Sequence, residues 1–149
     1  MIDSSVLWQY SLFDGLEQDQ IDKILPLMEQ EQYENGDEIV SEGTHNDSLR
    51  FILEGRVSVR KGGVILTELG EGSVFGEIEV LDVMPAEATV KALSATRVMA
   101  LSIDALGKIY ETDLKTYSFI LMNLARDLSR RLRHMDDKAA NRSPYMEWN

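Results

Sequence analysis

The stretch GEGSVFGEIEVLDVMPAEATVKA, Gly70 to Ala92, gathers the residue types that could do chemistry in this chain. Gly76 lets the backbone turn without a Cβ penalty. Glu77 to Leu81 can then form one short helical turn, whose free N–H groups and positive dipole end face Gly76. Such an end attracts phosphate. Glu77, Glu79 and, past Pro85, Glu87 add carboxylates. A pair such as Glu77 and Glu79 could in principle do acid–base work, but on one short turn the two side chains point in different directions. Two readings follow from spacing alone: an anion cradle set between strands, or a buried connecting loop with no ligand.

The elements that must position this stretch differ on its two sides. Met1 to Gln32 reads as helical, with Leu12, Phe13, Leu16, Ile21, Ile24, Leu25 and Met28 mostly at three- and four-residue spacings and a break at Asp14-Gly15. Pro26 obliges the second helix to start late or bend. From Tyr33 the period changes to two. An Asn35-Gly36 turn leads to Ile39-Val40, Leu49, Phe51 and Leu53 alternate with polar neighbours, and Lys61-Gly62-Gly63 makes a hairpin into Val64-Ile65-Leu66. Short strands with a glycine corner roughly every ten residues predict an antiparallel barrel or jelly roll. Val98 to Leu101 reads as the closing strand, Ile103 to Tyr110 as a short helix, and Leu114 to Lys138 as a long one carrying an apolar stripe through Leu121, Leu124 and Leu128.

Composition removes several function classes. A net charge of −11 and a pI near 4.6 argue against a broad nucleic-acid or anionic-membrane surface. With no cysteine there is no disulfide, thiolate catalysis or cysteine-ligated metal. No signal peptide or membrane anchor is legible, so a cytoplasmic location is expected. A metal-binding enzyme on a β-roll, as in cupins, needs several converging His and carboxylate ligands. The chain has two histidines, His45 and His134, which read as separate surface residues. No metal site, no catalytic residue and no enzyme activity are expected. The basic run Arg126, Arg130, Arg131 and Arg133 reads as a solvated or intersubunit face.

Phe75-Gly76-Glu77, Pro85 and Ala88-Thr89-Val90-Lys91-Ala92 together resemble the phosphate-binding cassette of cyclic nucleotide-binding domains, the modules of catabolite activator and FNR-type regulators and of protein kinase A regulatory subunits. The order Tyr-x-x-Gly-Asp, Glu-Gly, Phe-Ile-Leu-x-Gly and Leu-Gly-x-Gly-x-x-Phe-Gly-Glu is similar to the family's β-roll over nearly its full length. The resemblance implies one mainly β, α+β domain over 1–149: N-terminal helices (1–32), an antiparallel β-roll of double-stranded β-helix or jelly-roll type (33–102) with its cassette at 75–90, C-terminal helices (103–138) and a tail (139–149).

The same resemblance implies a ligand-binding set of Phe75, Gly76, Glu77, Ile78, Glu79, Ala86, Glu87, Ala88 and Thr89. In the family, the cassette Glu, here Glu77, accepts a hydrogen bond from the ribose 2′-hydroxyl, and the Arg after the Pro position pairs with the cyclic phosphate. This chain has Ala86 and then Glu87 there. Losing one partner of a buried charge pair costs roughly 3–5 kcal/mol, about two to three and a half decades of affinity. If the pocket is not degenerate, it takes a different small ligand, or a cyclic nucleotide whose phosphate is met by another cation such as Lys91 or Arg97. The long helix would make a homodimer through Leu121, Leu124 and Leu128 and place Met135 and Asp136 over the ligand. The residues after it are too few for a helix-turn-helix, so direct DNA binding is not expected. The expectation is a non-catalytic sensory module, needing no cofactor beyond a cyclic nucleotide or other small ligand, that signals through its last helix to an unknown protein partner. The alternative is a degenerate pocket, filled by Glu79 or Glu87, in a constitutive dimerisation or adaptor domain.

Overall fold

The computed structural model describes residue 7 and residues 9–142. Its eight strands form two four-stranded antiparallel sheets. The first has the order β1 (Glu29–Tyr33), β8 (Thr96–Ser102), β3 (Ser48–Glu54), β6 (Val74–Phe75). The second runs β2 (Glu38–Val40), β7 (Thr89–Ala92), β4 (Val57–Lys61), β5 (Val64–Leu69). This is the expected β-roll. Among the described residues four α-helices flank it: α1 (Gln18–Ile24), α2 (Glu77–Asp82), α3 (Ile103–Thr112) and α4 (Leu114–Arg142).

Strand alternation divides the core in two. From β3, Leu49, Phe51 and Leu53 face the helices, joining Leu7, Phe13, Ile21, Leu101, Ile109, Ile120 and Leu124 in the larger cluster. Ile52 faces inward with Val40, Val57, Phe75, Ala86, Val90 and Val98, the smaller cluster between the sheets. α4 is held to the larger cluster at both ends of its packed half. Asp113 caps it by accepting from the Thr116 amide (3.1 Å) and hydroxyl (2.7 Å), and buried Asn123 donates to the carbonyls of Leu12 and Asp14. The buried Gln20 amide of α1 reaches the Thr116 hydroxyl at 3.0 Å.

The amino-terminal third differs from expectation. Met1–Val6 and Trp8 lie outside the described residues. From there to Gln32 the chain is helical only in part: a 3-10 turn at Ser11–Phe13, α1, and a second 3-10 turn at Leu25–Leu27 that carries Pro26. It then enters a strand at Glu29, not a continuing helix. Proline ends the regular hydrogen bonding, and the polar run Glu29-Gln30-Glu31-Gln32 suits the edge of a sheet, where β1 pairs only with β8. The Asn35-Gly36 turn is present, with Gly36 at φ +95°, but it carries the chain from one sheet to the other instead of closing a hairpin. The hairpin at Gly62-Gly63 joins β4 to β5 as expected.

Candidate functional site

Gly76 links β6 to α2 at φ +81°, and a Cβ on it would come within 2.8 Å of both the Asn46 side-chain amide and the Ser48 carbonyl. Glycine is required there by conformation and by space. α2 starts at the next residue, so Glu77 and Glu79 both enter the protein in its first turn, and both are buried. Ile78, between them, is exposed.

Glu77 is 2% exposed and meets Arg131 of α4: the guanidinium Nη1 lies 2.5 Å from Oε1. The other terminal nitrogen of Arg131 donates to the Val74 carbonyl. Asp127, one turn earlier on α4, stands 3.5 Å from that same nitrogen. Burial pushes the Glu77 carboxyl up from its ordinary value of 4.5, and the Arg131 charge opposes this without cancelling it. A guanidinium that gives one nitrogen to a buried carboxylate and the other to a strand carbonyl makes a charge-assisted, directional contact. It ties the last helix to the cassette.

Glu79 faces a second network. Its Oε1 accepts from Asn46 Nδ2 at 3.4 Å, and that nitrogen also lies 3.3 Å from the Gly76 carbonyl. Asn46 Oδ1 accepts from Arg50 Nη1 at 3.0 Å, and Arg50 Nε donates to Glu31 at 2.7 Å. The Tyr33 hydroxyl donates to the same Glu31 oxygen at 2.9 Å. Burial, with the Glu31 carboxylate beside it, pushes the Tyr33 phenol up to about 12. Charged groups thus run along the inner side of the first sheet from β1 to the start of α2. Every one of these contacts recognises or braces; none sets a nucleophile against a base. Among the described residues no group of three or more His, Cys, Asp or Glu could hold a metal ion.

The rest of the expected set is dispersed. Phe75 and Ala86 sit in the smaller core cluster, Ala86 at 3% exposure with its amide donating to the Thr44 carbonyl at 2.8 Å. Glu87 turns outward to Lys61, 3.3 Å away, so it does not fill the pocket. Ala88 is half-buried, and the Thr89 hydroxyl accepts from the Glu42 amide at 3.0 Å. Neither expected substitute cation reaches the cassette. Arg97 pairs with Glu54 at 3.0 Å, and Lys91 lies between the inward-facing Val90 and Ala92, hence on the outer face of its sheet. Met135 and Asp136 are exposed, one turn beyond Arg131. On α4, Leu121 and Leu128 are half-buried, whereas Leu124 is 1% exposed within the domain's own core and is not free for a partner.

Arg131, expected on a solvated or intersubunit face, instead turns onto Glu77 and the Val74 carbonyl of its own domain. One local signal marked it. It stands three places after Leu128, where the half-buried side of the helix would continue with an apolar residue.

A family model, the cyclic nucleotide-binding domain, matches residues 30–113, more than half of the chain. The chain belongs to that family. The match covers the roll, the cassette and α3 but ends before α4, so the Arg131 clasp lies outside it. Among relatives of this cyclic nucleotide-binding domain, a cAMP-dependent protein kinase regulatory subunit from Debaryomyces hansenii is 35% identical over 88 residues, which are 58% of this chain and 20% of that protein. A solved cyclic nucleotide-binding domain from Methylobacillus flagellatus superposes with a TM-score of 0.84, covering 97% of this chain and 84% of that one, at 24% identity. That likeness is one of fold. The catabolite activator protein of Thermus thermophilus superposes with a TM-score of 0.75 at 29% identity, over 87% of this chain and 62% of its own. The chain spans about a fifth of the length of the first curated relatives it matches. No helix among the described residues is long and apolar enough to cross a membrane.

Proposed function

We infer that this cyclic nucleotide-binding domain is a non-catalytic regulatory module in which a small ligand at the cassette competes with, or recruits, Arg131 and so changes how α4 is held. The observation that carries the reading is the clasp of Arg131 on Glu77 and the Val74 carbonyl. The carboxylate that family resemblance assigns to a ribose hydroxyl is the one that anchors the output helix. A ligand with differential affinity for the clasped and released states shifts their populations, and a protein partner reading α4 would sense it. Arg131 is also a cation beside the cassette, and we propose that it meets a cyclic phosphate in place of the arginine that Ala86 replaces. A cytoplasmic module, dimeric along α4 and without direct contact to DNA or membrane, fits this role.

A second reading rests on Ala86. Its side chain is packed with Val40, Phe75 and Val90, which favours a closed roll that holds α4 permanently, as an adaptor or dimerisation domain.

Calorimetric titration with cyclic AMP, on protein unfolded and refolded to strip any carried ligand, separates the two. Saturable heat at low micromolar ligand that vanishes in Arg131→Gln supports the sensor. No heat in the wild type, with heat appearing in Ala86→Arg/Glu87→Ser, supports the closed adaptor. Binding that survives Arg131→Gln unchanged would remove Arg131 from the mechanism.

A further inference from the structure

α4 has three working sides. Thr116, Ile120, Asn123 and Leu124 face the core. Leu121, Ala125, Leu128, Leu132 and Met135 line a second side at alternating four- and three-residue steps. The third side, at the helix's amino-terminal half, bears an open groove of about 540 Å³ lined by Leu114, Lys115, Ser118, Phe119, Met122 and Arg126. Leu114 and Met122 are exposed there, and half-buried Phe119 forms part of the floor.

Charge says what fits it. Lys115 and Arg126 stand on the same helix side, roughly three turns and about 16 Å apart along the axis, one at each end of the apolar floor. Neither has an ion-pair partner among the described residues. Ion pairs among the described residues use five of the chain's fifteen Lys and Arg, namely Arg50, Arg56, Lys61, Arg97 and Arg131, so what marks this groove is its own lining, which holds two cations and no carboxylate. The two bracket exposed hydrophobic surface. We propose that this groove docks an acidic amphipathic helix of a partner protein, about three turns long, which lays its apolar face on Leu114, Phe119 and Met122 and sets a carboxylate against Lys115 and another against Arg126. The surface is separate from the cassette, so the proposal stands whether or not the ligand reading does.

The test is fluorescence anisotropy with a labelled helical peptide of about fifteen residues, leucines along one face and glutamates at both ends, and with the same peptide carrying lysines in place of the glutamates. The acidic peptide should bind saturably, and Lys115→Glu with Arg126→Glu should raise its Kd at least about tenfold and reverse the preference to the lysine peptide. Arg56→Glu, a charge reversal on the exposed surface of the roll, should leave binding unchanged. Circular dichroism checks that these exposed substitutions keep the fold. Equal affinity for both peptides, no saturable signal, or indifference to the paired reversal would overturn the proposal. So would binding that appears only after residues 1–6 are deleted, which would give the groove to the chain's own amino terminus.

Discussion

Glu77 carries two opposed demands, since burial disfavours its charge while Arg131 requires it. Burial prevails, so the folded carboxyl holds its proton more tightly than the unfolded one. Its contribution to stability is therefore complete below the unfolded value of 4.5 and is lost as pH rises through the raised folded value. Glu77→Gln cannot ionise and lacks this dependence. Urea unfolding should show the wild type losing stability relative to Glu77→Gln as pH rises above the unfolded value of 4.5; parallel profiles would mean that Arg131 fully offsets burial. A second residue-scale prediction concerns Val83, which ends α2 at φ +58° with its side chain 73% exposed. A β-branched residue pays about 1–2 kcal/mol in that conformation. Val83→Gly should recover a net of about 0.5–1 kcal/mol after the entropy of glycine in the unfolded chain, a rise in Tm of roughly 1–4 °C. A fall in Tm would mean that the valine side chain makes a contact worth more than the strain.

Among the elements, the roll was legible because its signals are local. Period-two alternation in β3 and β4 and glycine corners at Gly55 and Gly62-Gly63 need no knowledge of what packs where. β1 was not legible, since Glu29-Gln30-Glu31-Gln32 offers no apolar alternation and becomes a strand only by pairing with β8. Arg131 was hidden for the same reason, as its partners Glu77 and Val74 lie far away in sequence. α4 was half legible. Leu121, Leu124 and Leu128 all satisfy three- and four-residue spacing, so periodicity alone could not say which face meets the core and which is spare. The structure assigns Leu124 to the core and leaves Leu132 and Met135 exposed. Leu124→Ala should cost about 2–5 kcal/mol in thermal or chemical unfolding, while Leu132→Glu should change the stability of the monomer by less than about 0.5 kcal/mol. The reverse order would place the core on the wrong side of the helix.

At the scale of the whole molecule, a helix of this length extends past the roll, and beyond Arg131 every residue described, 132–141, is exposed. A seam of Leu121, Ala125, Leu128, Leu132 and Met135 has the spacing of a coiled-coil face, and replaces the Leu124-containing stripe as the proposed dimer face. Sedimentation equilibrium should give a dimer in the micromolar range, converted to monomer by Leu128→Glu with Leu132→Glu. A monomeric wild type at high micromolar concentration would end the dimer reading.

The two-sheet topology also governs how the chain can be made. Glu29 pairs with Ala100 and Glu38 with Lys91, so the first strands find their partners only near the end of the roll. With synthesis at roughly 5–20 residues per second, β1 and β2 wait for seconds on the ribosome with their backbone groups open, and four of the six strand pairings, those to β7 and β8, must form late. Such long-range pairing is intrinsically slow. The nascent domain is thus most exposed to mispairing and to chaperones just before β7 and β8 emerge, a window set by strand order alone.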